Sequence, residues 1–75
     1  DMAAAEGNIQ QAATWLKQGV DANPDSVRLM VQLAENQLRL GQHGKARYWF
    51  SRILSLQPKS QAAQVARDYL DILPD

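Results

Sequence analysis

Residues 27–60 read VRLMVQLAENQLRLGQHGKARYWFSRILSLQPKS, and the spacing of apolar residues within them decides the architecture. Val27, Met30, Leu33, Ala34, Leu38 and Leu40 cover one broad helical face with no strand-like alternation, which predicts a helix from Ser26 to about Leu40. Gly41-Gln42-His43-Gly44 then supplies a left-handed stop and a tight turn. Ala46, Phe50, Ile53 and Leu54 form the stripe of the next helix, running to about Leu56, and Gln57-Pro58-Lys59-Ser60 breaks it. The segment is a helical hairpin bounded by a proline.

The flanks carry pieces of the same pattern. At an offset of 34 residues Gly7 pairs with Gly41, Ala12 with Ala46, Trp15 with Trp49, Pro24 with Pro58, Ser26 with Ser60 and Val31 with Val65. Upstream, Ile9, Ala12, Ala13, Leu16 and Val20 fall at helical spacing and predict a helix over 8–22, closed by Asn23-Pro24-Asp25-Ser26. Downstream, a helix from Ser60 to Leu73 turns Ala62, Val65, Ala66, Tyr69, Leu70 and Leu73 inward, with Gln61, Gln64, Arg67, Asp68 and Asp71 outward, and ends at Pro74. The expected fold is all-α, a single domain over 1–75 of about four helices.

Composition narrows the function. The chain has 75 residues, room for one small core, and 8 Lys+Arg balance 8 Asp+Glu. That balance offers no positive excess for phosphate backbones, so nucleic acid is not an expected partner. No apolar run approaches the roughly 18 residues of a bilayer span, so no membrane insertion is expected. Without cysteine, thiolate zinc sites, disulfides and cysteine nucleophiles are absent. Asp21, Asp25, Asp68 and Asp71 are scattered over helix ends and outer faces, so no metal site or cofactor is expected. His43 stands alone in the interhelix turn and reads as a turn residue rather than an acid-base catalyst, so no enzyme is expected.

A helix pair of 34 residues with glycine between its helices, Ala46 in the second helix, Phe50 four further on and Pro58 at the close resembles the tetratricopeptide repeat. Met30, Leu33 and Ala34 stand at that family's first-helix positions, and Gln37 stands where the family has tyrosine. Ala12, Leu16 and Pro24 repeat the offsets of Ala46, Phe50 and Pro58. The resemblance implies a right-handed solenoid segment: 8–22 as the second helix of a partial repeat, 27–60 as a complete repeat and 61–73 as a capping helix. It makes Asp1–Glu6 the end of a first helix whose opening turns precede the chain.

The resemblance also implies a function, the binding of a peptide or partner domain in a concave groove lined by first helices. It maps that inner face onto Arg28, Val31, Gln32, Glu35, Leu38 and Arg39, with Val65 and Tyr69 on the last helix. The clamp for chaperone tails in some relatives needs converging Lys, Asn and Arg; Val31, Glu35, Val65 and Tyr69 stand there instead. Arg28, Gln32, Glu35 and Arg39 share one polar stripe, which also reads as a solvated face with a Glu35–Arg39 pair across one turn. A structural alternative makes these helices the cap of a longer solenoid, or a homodimer meeting through the first helix. Trp15 and Trp49 occupy one slot of the repeat, and both are expected to pack beneath a neighbouring helix.

Overall fold

The computed structural model describes residues 2–73, with side chains from Gly7 onward. Four α-helices follow one another: α1 (Met2–Ala22), α2 (Val27–Arg39), α3 (His43–Leu56) and α4 (Gln61–Ile72). There is no strand among the described residues, and none of these helices is long and apolar enough to cross a membrane.

Local chemistry sets the helix boundaries. Ser26 and Ser60, equivalent in the 34-residue register, are extended N-caps whose hydroxyl oxygens accept from the backbone N–H of Leu29 and Ala63. Beyond α2, Gly41 adopts φ +77°, a conformation that costs a side-chain-bearing residue about 1 kcal/mol or more. The Gln42 N–H then reaches back to the Gln37 carbonyl at 2.8 Å and the Gly41 N–H to that of Leu38 at 3.0 Å. Two carbonyls orphaned by the helix end are thereby satisfied.

Gly7 behaves differently from its counterpart Gly41. The expected helix start at Asn8 is corrected: α1 is continuous from Met2 through Gly7 to Ala22, so residues 2–6 belong to this helix and not to a preceding one. Asp1 lies outside the described residues. A single glycine costs a helix about 1 kcal/mol relative to alanine. The neighbouring alanines favour helix, and α1 runs through Gly7 without the positive φ that Gly41 adopts beyond α2.

Packing is organised around α2, which lies against α1 and α3 and also touches α4, while α3 packs on α4. The backbones of α1 and α3 do not approach each other closely. Phe50, Met30, Leu33 and Ile53 are the largest fully buried side chains. Ala34, Ala46, Ala63 and Ala66 are wholly buried between them, and their small volume lets the helices close to a tight ridge-and-groove contact. The molecule measures 39 × 30 × 17 Å, a slab less than two helix diameters thick, so most side chains lie near one of its two broad surfaces.

The two tryptophans part company. Trp49 is 7% exposed and joins the core cluster, with Lys17 Nζ of α1 lying 5.8 Å from its ring centroid and Arg52 Cζ 5.9 Å. Trp15 is 69% exposed, which corrects the expectation that both are covered. Trp49 belongs to the buried core cluster, and Trp15 does not.

Candidate functional site

Between α2 and α4 the chain builds a face from residues 34 apart in sequence. The Tyr69 hydroxyl donates to Glu35 Oε2 at 3.2 Å, and the Tyr69 ring stacks on Phe50 with centroids 4.8 Å apart and planes 13° from parallel. Tyr69 is thus held on the core by its ring and on α2 by its hydroxyl. Burial pushes the phenol above its ordinary pKa; the Glu35 charge and the hydrogen bond to Glu35 push the same way, while Arg39 opposes them. Tyr69 stays a neutral donor at physiological pH.

The residues expected to line this face are distributed unevenly. Arg28, Gln32 and Arg39 are exposed on α2. Val31 and Leu38 are half-buried and pack against the core, so they wall the face more than they project from it. Glu35 is also half-buried. The expected Glu35–Arg39 pair is corrected, since the Glu35 carboxylate turns to Tyr69. Lys17 and Asp21 form an ion pair at 2.7 Å on α1, an exposed i,i+4 contact of small energetic weight. His43 is exposed at the start of α3. No group of three or more His, Asp or Glu side chains converges among the described residues.

Sequence reading missed one member. Val65, Tyr69 and Ile72 follow at i, i+4 and i+7 and share one face of α4. Ile72 is 76% exposed. The signal was present, because Ile72 stands 34 residues after Leu38 in the repeat register. Together these residues place an apolar strip on α4 beside the exposed arginines and glutamine of α2.

Antiparallel helix pairs stacked so that one helix of each pair shares a surface define an α-helical repeat protein. The chain belongs to the tetratricopeptide repeat family, whose model, described as tetratricopeptide repeat, matches residues 3–69. Comparison with curated proteins and with solved structures returned no match. Members of this family serve in general as protein-protein interaction modules.

Proposed function

We propose that the face shared by α2 and α4 holds a peptide or a domain of a partner protein. The observation that carries this reading is the amphipathic character of the face. Val65, Tyr69 and the exposed Ile72 form an apolar strip, and Arg28, Gln32 and Arg39 form a polar border on the adjacent helix. An exposed large apolar side chain beside a fixed aromatic ring is the kind of anchor a partner side chain covers, and the arginines select its polar groups. The equality of basic and acidic residues favours protein over nucleic acid or a membrane surface. In this reading α2 and α3 form the complete repeat over 27–60, 8–22 the second helix of a partial one, and 61–73 the closing helix. The activity is binding, without catalysis or cofactor.

The test is amide chemical-shift mapping on the 15N-labelled chain with partners captured by it. Shifts are expected along α2 and α4, and Arg28→Ala combined with Arg39→Ala should weaken binding while the denaturation midpoint holds, since exposed substitutions change stability by no more than about 0.5 kcal/mol. Shifts confined to other elements would move the site elsewhere.

A second reading rests on Trp15, whose exposure suits a homodimer meeting through α1. Light scattering over a range of concentrations tests it, with Trp15→Ala as the variant because Leu16 packs against the core. A parent that is monomeric at every concentration would dispose of it.

A further inference from the structure

On the far side of α2 from Arg28, Glu35 and Arg39, the separation of α1 from α3 leaves a trough of about 580 Å³. Leu33 and Gln37 form its floor, Thr14 and Lys17 one wall, Lys45 and Trp49 the other. Gln37 occupies the position at which the repeat pattern carries tyrosine, and a carboxamide fills less of this space than a phenol ring. It is 7% exposed, and its Oε1 is buried with no hydrogen-bond partner among the described residues. Beyond Trp49 the trough continues into a second depression of about 270 Å³ that reaches Arg52. There Arg52 Nε is likewise buried without a partner, although its guanidinium holds the Tyr48 hydroxyl at 3.5 Å.

These two atoms ask for opposite things. Gln37 Oε1 is an acceptor lacking a donor and Arg52 Nε a donor lacking an acceptor; Gln37 lines the first depression, Arg52 the second, and Trp49 both. Buried polar groups left unpaired are costly, and a ligand that pairs them recovers that cost on binding. Charge is asymmetric as well: Lys17, Lys45 and Arg52 line the two depressions against Asp21, the one carboxylate among the described lining residues. Asp21 is committed to Lys17 at 2.7 Å, which leaves Lys45 and Arg52 without a carboxylate among the described residues.

We infer that this trough is a second binding site, for an acidic peptide segment of a partner protein that lays one apolar side chain against Trp49. An extended backbone supplies the N–H that Gln37 lacks once its carboxamide turns Oε1 into the trough. A carboxylate answers Lys45 and Arg52, and the apolar side chain lies in the trough against the small part of the Trp49 indole left open. The site is independent of the α2–α4 face, and the two are separated by which helices respond.

The experiment uses the 15N-labelled protein and two blocked peptides, Glu-Leu-Glu-Leu-Glu and its neutral counterpart Gln-Leu-Gln-Leu-Gln. The acidic peptide is expected to move the Trp49 indole N–H and the Gln37 side-chain amide while the Trp15 indole stays in place. It should bind about tenfold more tightly than the neutral peptide and lose about as much on Lys45→Glu, the loss of one charge-assisted contact. Gln37→Leu should raise the denaturation midpoint by removing the unpaired acceptor and, at the same time, weaken peptide binding. No movement of Trp49, equal response to both peptides, or a stabilised Gln37→Leu that binds the peptide unchanged would each overturn the proposal. Shifts confined to Arg28, Glu35 and Tyr69 would overturn it too, and would count for the α2–α4 face.

Discussion

Replacing each tryptophan by alanine should produce unequal losses of stability, although the two occupy one slot of the repeat. A tryptophan side chain presents about 250 Å². At 7% exposure Trp49 keeps roughly 230 Å² from water, worth at most about 6 kcal/mol at about 25 cal/mol per Å². Compactness of the unfolded chain lowers that ceiling, and truncations of buried aromatics cost about 3–5 kcal/mol. Trp15, at 69% exposure, hides roughly 80 Å², much of it against its own helix, and its loss should cost about 1 kcal/mol or less. The whole domain has on the order of 4–11 kcal/mol of stability for its length, so Trp49→Ala should bring it close to unfolding. The two variants should differ by about 3 kcal/mol, a gap of at least about 12 °C in Tm at about 4–8 °C per kcal/mol. Urea and thermal denaturation followed by far-ultraviolet circular dichroism reads this without relying on the indoles. Equal midpoints for Trp15→Ala and Trp49→Ala would refute the placement of Trp49 in the core and Trp15 outside it.

Ala46→Leu forces extra carbons into a wholly buried helix contact and should destabilise by about 1–3 kcal/mol, read from the urea midpoint. Ser60→Ala removes the acceptor for the Ala63 N–H at 3.1 Å and should cost about 0.5–2 kcal/mol, with loss of amide-exchange protection concentrated in the first turn of α4. Tyr69 has its pKa raised in the folded state, so its protonated phenol contributes stability that is whole below the unfolded value near 10 and is lost as pH rises through the folded value. Tyr69→Phe keeps the ring on Phe50 but should flatten the alkaline part of the stability profile, measured by denaturation at a series of pH values above about 9.

The candidate face was partly legible in the sequence. Arg28, Gln32 and Arg39 lie exposed as their stripe required, because their positions depend on one helix alone. In the sequence Glu35 reads as the partner of Arg39 or as a groove residue, and folding pairs it with Tyr69. Ile72 escaped notice because the apolar stripe of α4 was drawn through Leu70 and Leu73, and its exposure depends on how α4 rolls against α2 and α3. The trough was foreshadowed by Gln37, a short amide in an apolar position, but its width is set by the separation of α1 and α3.

What the sequence by itself determined is the set of local elements. Helical spacing of apolar residues, the serines at 26 and 60, the glycine at 41 and the prolines at 24 and 58 specify four helices and the hairpin between α2 and α3, because each acts through neighbours within a turn or two of the chain. The repeat offset named equivalent positions but not equivalent environments. Trp15 and Trp49 occupy the same slot of the repeat, and only tertiary packing makes one of them core. Gly7 and Gly41 likewise share a register position, and the turn forms only at Gly41, where the return of a packed helix supports it. Burial, hydrogen-bond choice and the shape of the surfaces belong to contacts between segments distant in sequence, so they were decided by the tertiary structure alone.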